Sequence, residues 1–525
     1  MSWRKYFPYP SVRPEQERAL DFICEKIEAG EKAIILEAGT GVGKSALAAT
    51  LAGWMTQKPL PESYAPGAVV LTSQKVLQDQ YVRDFSWARD LRSSSNFQCE
   101  RLAAGSCGET SRLRRAVGQK LKQSLACNSC PFRAAKDEFV ESRLGVTNYS
   151  YFLSESMYAG ELPPRQLLVL DEAHNVEDEV RRWTTVEIGE NDAREFKLDF
   201  PGPGKEFDWL ANEYKGHISA KLGLVGGKLK NLVHAGALVG EGVKKLVSDN
   251  DRLDKRLCQI NRLGNDAKAV LISRHEDRQG RRSMRFQPLE VRNIAKDVLY
   301  SRATVTLLMS ATLLDEKVFT RSVGLEGAPF ISIPSPFPSK NFGMTFRPVG
   351  RMTRDHIDVS LPKLVRAIRK ILTEHPDEKG IIHTANYRIT QYIGDHLVDR
   401  RLMVQEGAGD RDKMLRRHLE SKDPTVMVSP SMMEGLDLRG DLGRFQVVCK
   451  VPYPDMSDPV VKVKDRAWYN WRTARSLVQS VGRSVRSQDD WTKTYILDLS
   501  FMDLLERAPG MIPGHLTESM EVEDA

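Results

Sequence analysis

The sequence predicts an α/β protein with two parallel-sheet domains, and three observations carry that prediction. Near the N-terminus, AIILEAGTGVGKSALAATLAGWM runs from a short apolar strand (Ala33 to Leu36) through a glycine-rich turn into an Ala- and Leu-rich helix. Farther on, LLVL (Leu167 to Leu170) leads straight into the acid pair Asp171 and Glu172. In the C-terminal part, GIIHTA (Gly380 to Ala385), TVMVSP (Thr425 to Pro430), FQVVCKV (Phe445 to Val451) and TYILDL (Thr494 to Leu499) alternate with helical patterns, the signature of a second sheet. The chain has 525 residues, 41% of them hydrophobic and 28% charged, so it is long enough for two or more cores.

The opening MSWRKYFPYP has no apolar run of the kind a signal peptide needs, and no uninterrupted membrane-spanning segment follows, so a cytoplasmic protein without membrane contact is expected. Seven cysteines, four of them crowded between Cys99 and Cys130, argue against a disulfide framework in a reducing compartment and favour metal binding. The formal net charge is +7, and residues 221 to 290 alone hold fifteen Lys/Arg against eight Asp/Glu, which points to a polyanionic partner.

The glycine-rich turn has the chemistry of a phosphate cradle. Gly39, Gly41 and Gly43, with Thr40 between the first two, let backbone N–H groups converge on phosphate oxygens at a helix N-terminus. Lys44 supplies a point charge to the β- and γ-phosphates, and the Ser45 hydroxyl can join a Mg²⁺ shell. Ala38 stands where the strict pattern has its first glycine, leaving the turn and the GKS end intact.

The strand ending at Leu170 delivers DEAH to the ligand-binding end of a parallel sheet. There Asp171 can hold Mg²⁺ through water, and Glu172 can orient or deprotonate an attacking water. No second histidine stands at ligand spacing, so His174 reads as a coupler rather than a metal ligand. VTLLMSATL places Ser310, Ala311 and Thr312 after another apolar strand, where small hydroxyls can relay hydrogen bonds. In LVQSVGRSVRS, a continuous helix would set Gln479, Arg483 and Arg486 on one face at i, i+4 and i+7, suiting the two arginines as fingers for transition-state charge.

The cysteines run C-x7-C-x19-C-x2-C over Cys99, Cys107, Cys127 and Cys130. Four thiolates with one C-x2-C pair suit Cys₄ zinc as readily as a [4Fe–4S] cluster. Arg112, Arg114, Arg115, Lys120 and Lys122 lie between the inner cysteines, so folding around a metal would make a small rigid basic knob. Tyr149, Tyr151 and Phe132 are candidate stacking platforms for bases and equally candidate core residues. Cys24, Cys258 and Cys449 sit in apolar patterns and read as packing residues.

AGTGVGKS, DEAH, SAT, EGLDL (Glu434 to Leu438) and QSVGRSVR stand in the order found in superfamily 2 helicases, and several details resemble the XPD/DinG branch. YFPYPSVRPEQ is similar to that branch's adenine-side motif, which puts Gln16 in the place of the adenine-reading glutamine. SSSNFQC and CNSCPFRAAKDEF resemble the edges of its iron–sulfur insertion, while TNY (Thr147 to Tyr149) and SPFPSKN (Ser335 to Asn341) resemble further family segments. The likeness covers nearly the whole chain, thinly from about 181 to 295.

The resemblance implies two RecA-like parallel-sheet motor domains, with an iron–sulfur insertion and a mostly helical arch-like insertion in the first. It divides the chain into motor domain 1 (1–90, 141–180 and 296–335), the cluster domain (91–140), the arch (181–295), motor domain 2 (336–516) and an acidic, solvated tail (517–525). It favours [4Fe–4S] over zinc, adds Asp437 and Gln479 to the nucleotide-side residues, and implies ATP and Mg²⁺ as the other cofactors. The expected activity is ATP hydrolysis between the motor domains that drives 5′-to-3′ movement on single-stranded DNA and opens forked duplex, D-loop or R-loop DNA. A monomer is expected, since no long heptad seam is present. Two alternatives stay open: a DNA-dependent translocase that displaces proteins or remodels RNA–DNA hybrids without processive unwinding, and a redox-responsive nucleic-acid binder with a vestigial motor.

Overall fold

The computed structural model describes residues 2–73, 75–98, 112, 130–160, 162–235, 241–277, 279–432, 438–482, 485, 487–518 and 520–524. It divides into two compact units, Met1–Leu36 with Lys44–Met309 and Thr320–Phe330, and Glu37–Gly43 with Ser310–Phe319 and Ile331–Ala525. Among the described residues no helix is long and apolar enough to cross a membrane.

The first sheet is built on β1 (Ala33–Ala38), β2 (Ala65–Thr72), β3 (Ala88–Asp90), β4 (Leu144–Asn148), β5 (Arg165–Asp171), β9 (Ala303–Ser310) and β10 (Phe330–Ile333), in the spatial order β10-β1-β9-β5-β2-β4-β3. β5 is parallel to both neighbours, with Leu168 opposite Val69 and Thr306, and all seven of its residues are buried. A strand covered on both faces must read as an unbroken apolar run, which is why LLVL shows no alternation. The helices that matter for the site are α1 (Pro14–Glu28), α2 (Lys44–Met55), α3 (Lys75–Asp84), α4 (Pro131–Glu141), α5 (Tyr149–Ser154) and α6 (Val176–Thr184). α2 is buried at every position from Ala46 to Met55, as an all-apolar helix must be.

Residues 181–295 are only partly helical. Two long helices, α7 (Lys215–His234) and α8 (Glu241–Leu263), pack with an antiparallel three-stranded sheet, β6 (Val186–Gly189), β8 (Arg282–Pro288) and β7 (Val270–Glu276) in that order. In β8, Met284, Phe286 and Pro288 point into the core while the residues between them do not, the period-2 signal of a half-buried strand. Trp209 and Tyr214 stack at 5.1 Å in the same core.

The second unit carries β11 (Phe342–Gly350), β12 (Gly380–His383), β13 (Leu402–Val404), β14 (Val426–Ser429), β15 (Phe445–Val448), β16 (Thr492–Asp498) and β17 (Met520–Val522). They form one sheet in the order β13-β14-β12-β15-β16-β11-β17, and every pairing is parallel. α9 (Ile357–Glu374) buries its apolar stripe, including Leu364, Ile368 and Ile371, on this sheet, and α10 (Arg466–Val481) is buried along most of its length. Buried Cys24 and Cys449 and half-buried Cys258 fit the expected packing roles, the last donating its Sγ–H to the Met157 carbonyl at 2.8 Å.

The acidic C-terminal stretch, expected as a solvated tail, instead supplies β17. Met520, Glu521 and Val522 pair with Met344, Thr345 and Phe346, so the edge of β11 is covered. Glu523 then meets the buried Arg347, whose Nε donates to Glu523 Oε2 at 2.9 Å and whose other side donates to Glu374 Oε2 at 3.2 Å. A buried guanidinium requires such partners, and the sequence signal of acidity hid that role. Glu523→Gln is therefore expected to lower stability by about 1–2 kcal/mol in thermal unfolding. Glu521→Gln, which loses only a surface pair with Lys493, should change it little.

Candidate active site

β1 ends in the glycine-rich turn and α2 begins at Lys44. Gly41 and Gly43 have φ of +91° and +93°, a left-handed backbone that disfavours any side chain. Space imposes the same choice at two positions. A Cβ on Gly39 would lie 2.4 Å from the Ser335 backbone nitrogen, and one on Gly41 would lie 2.3 Å from the Phe337 ring. The Ser335 hydroxyl also donates to the Thr40 carbonyl at 2.8 Å. SPFP, singled out in the sequence only as a family-like segment, is thus a brace for the phosphate loop. Lys44 and Ser45 open α2, whose N-terminal backbone N–H groups and helix dipole favour anions.

At the C-terminal end of β5 the chain turns sharply, with Glu172 at φ +53° and ψ +47°. This left-handed residue costs on the order of 1–2 kcal/mol and sets two adjacent carboxylates at the strand end. Asp171 is only 6% exposed, and its Oδ1 accepts the Glu172 backbone N–H at 3.0 Å. Burial, and then the charge of Glu172, push the Asp171 carboxyl up to about 6, while the Lys44 ammonium pulls it down. His174 is buried, with Nδ1 at 3.3 Å from Glu172 Oε2. Two buried tyrosines approach Asp171: the Tyr149 hydroxyl donates to its backbone carbonyl at 3.0 Å, and the Tyr81 hydroxyl stands beside its carboxylate without closing a hydrogen bond of standard geometry. Neither contact was legible in the sequence.

Ser310 closes β9 and its Oγ accepts the Thr312 backbone N–H at 3.2 Å; Gln479 Nε2 in turn donates to Thr312 Oγ1 at 3.0 Å. Ser310 and Thr312 are thus linked locally, and Gln479 reaches the Thr312 hydroxyl. The helix expected to align Gln479 with Arg483 and Arg486 stops at Val481, capped at Gly482, so a single helical face does not join all three. Arg483, Arg486 and Asp437 lie outside the described residues.

Gln16, in the first turn of α1, is buried, and its Oε1 accepts the Arg13 backbone N–H at 3.0 Å as a helix cap. Of the four clustered cysteines only Cys130 is described; it is half-buried and stands at the N-cap position of α4. Cys99, Cys107, Cys127, Arg114, Arg115, Lys120 and Lys122 lie outside the described residues. Among those described, no group of three or more His, Cys, Asp or Glu side chains is arranged around a metal position. The stacking roles entertained for Tyr149 and Phe132 are corrected by burial: Tyr149 is 1% exposed, and Phe132 packs edge-on to Phe97 at 5.5 Å. Tyr151, half-buried, donates to Glu155 Oε1 at 3.0 Å.

Residues 10–202 match the family described as type III restriction enzyme, res subunit, and residues 368–519 match the helicase C-terminal domain. The ATP-dependent DNA helicase DinG of Photobacterium profundum is 25% identical over 43% of this chain and 36% of its own length. The ATP-dependent DNA helicase YoaA of Escherichia coli is 21% identical over 93% of this chain and 91% of its own. A solved XPD helicase superposes with a TM-score of 0.63 at 13% identity, covering 98% of this chain and all of that one. These matches make the chain similar to ATP-dependent helicases of the DinG type, with the fold of an XPD helicase. The match to DinG spans about a third of that relative's length, whereas the match to YoaA is nearly end to end. The fold shared with the XPD helicase is seen in the two parallel sheets, and the phosphate-loop and DEAH sequences occupy the ends of β1 and β5.

Proposed function

We propose that the helicase hydrolyses ATP with Lys44 on the β- and γ-phosphates, Ser45 and Asp171 holding Mg²⁺, and Glu172 orienting the attacking water. The observation that carries this reading is the acid pair at the end of β5, Asp171 buried and Glu172 half-buried, with the Lys44 charge acting on Asp171. A desolvated carboxylate beside a second one is a donor set suited to a divalent cation, which neutralises phosphate charge when bound. Glu172, held by His174, is the less buried of the two and is free to meet water. Gln16, Gly39, Thr40, Gly41 and Gly43 complete nucleotide binding in this reading, Asp437 and Gln479 assist it, and Arg483 and Arg486 act on transition-state charge.

The substrate in this reading is single-stranded DNA, along which the helicase moves 5′ to 3′, opening forked duplexes, D-loops or R-loops as a monomer in the cytoplasm. DNA named as the substrate of DinG and YoaA supports this, as does the basic excess of residues 221–290. Cys99, Cys107, Cys127 and Cys130 hold a [4Fe–4S] cluster, which makes the basic loop rigid enough to split a duplex. Thiolate chemistry and the position of Cys130 at a helix N-terminus fit that group. The test is iron, acid-labile sulfide and zinc content of protein purified without oxygen, followed by strand displacement on 5′- and 3′-tailed duplexes. Cys130→Ser is expected to lose iron and unwinding while keeping part of the ATP turnover, because the phosphate loop is built on separate elements. Normal unwinding by an iron-free variant would remove the wedge from the mechanism.

A further inference from the structure

The buried face of α3 carries two polar side chains one turn apart, Gln78 and Tyr81. Gln78 is fully buried, and neither its Nε2 nor its Oε1 has a hydrogen-bond partner among the described residues. The Tyr81 hydroxyl is likewise buried without a closed hydrogen bond, beside the Asp171 carboxylate. Leaving such groups unpaired costs about 1–3 kcal/mol each, so a helix packed in a parallel-sheet domain would ordinarily present apolar side chains here. On the other side, Tyr149 opens α5 immediately after β4 and donates its hydroxyl to the Asp171 carbonyl. Two phenols from different elements thus address the backbone and the carboxylate of the same residue.

We infer that Tyr81 and Tyr149 are positioning residues that hold Asp171 for the hydrated metal ion of the bound nucleotide. The inference rests on the reading of Asp171 as the metal-holding carboxylate. Tyr149 fixes where β5 ends, and therefore where the carboxylate starts. Tyr81 limits where it can turn, because its hydroxyl can complete a hydrogen bond to only one range of carboxylate positions. Partners of this kind around a metal ligand are worth about 10- to 100-fold in metal affinity when removed.

The test uses the full chain with ADP and Mn²⁺ as the probe, the free ion being counted by electron paramagnetic resonance. Tyr81→Phe is expected to weaken Mn²⁺ binding about tenfold. Its affinity for ADP in EDTA should be unchanged, and its thermal midpoint equal to or above that of the parent, since an unpaired buried hydroxyl has been removed. Tyr149→Phe is expected to weaken Mn²⁺ similarly while losing some stability with its hydrogen bond. Asp171→Asn serves as the reference. If it loses the ion while Tyr81→Phe binds Mn²⁺ like the parent, the positioning role is overturned and the metal role of Asp171 stands. If Asp171→Asn itself binds Mn²⁺ normally, the metal reading falls and the inference with it.

Discussion

Lys44→Ala is expected to abolish DNA-stimulated ATP hydrolysis, with phosphate release falling at least about 10²- to 10³-fold. Lys44 is the first residue of α2 and half-buried, so its removal takes away a charge and little packing. Alanine is a good helix former, and the helix should remain. Two effects then act in the same direction. The phosphates lose their fixed cation, and Asp171 loses the ammonium that holds its carboxyl down. Circular dichroism and the thermal midpoint should be close to those of the parent, which would confine the loss to chemistry. Hydrolysis undiminished in a folded Lys44→Ala protein would sink the proposed mechanism.

Both strands that carry the site were legible because fully buried parallel strands leave an unbroken apolar run in the sequence, and the chemistry follows immediately at their ends. AIIL precedes the glycines, and LLVL precedes Asp171 and Glu172. Glycine at 41 and 43 announces a left-handed turn whatever the surrounding fold, so that element could be read without any tertiary information. Three features resisted the same treatment for physical reasons. β8 alternates correctly, yet Arg282 at its exposed start and Arg285 on its outer face add to the basic excess of a region whose pattern is mostly helical. β17 is acidic because its neighbour Glu523 serves a buried arginine 176 residues earlier, a long-range pairing that no local pattern reports. The role of Tyr149 was hidden because a tyrosine after a strand is equally a core residue, a base platform or a hydrogen-bond donor. Only the 3.0 Å contact with the Asp171 carbonyl decides among them. The end of α10 at Val481 shows the opposite failure, in which a helical pattern was extended through a glycine that caps the helix.

Asp171→Asn is expected to separate stability from activity, losing hydrolysis by about 10²-fold or more while making the nucleotide-free protein harder to unfold at neutral pH. The argument begins with the carboxyl, whose folded value of about 6 lies above its ordinary 3.8 because burial and Glu172 disfavour the charged form. Between pH of about 4 and 6 the folded protein therefore binds more protons at this site than the unfolded chain does. Stability contributed by the site consequently falls as pH rises through that window, by up to about 3 kcal/mol at neutral pH. Asparagine keeps the shape and the oxygen that accepts the Glu172 N–H, and carries no charge to desolvate. The variant's thermal midpoint should exceed the parent's by several degrees at pH 7, and the gap should close as pH approaches 4. Saturating Mg²⁺–ADP should stabilise the parent and leave the variant nearly unmoved, because the ion that would offset the buried charge has lost its ligand. A variant less stable than the parent at pH 7, or a gap that does not narrow with acid, would mean that Asp171 is already satisfied by its protein surroundings. The strand end would then be a finished structural element rather than a site held open, at a cost in stability, for a metal-bound nucleotide.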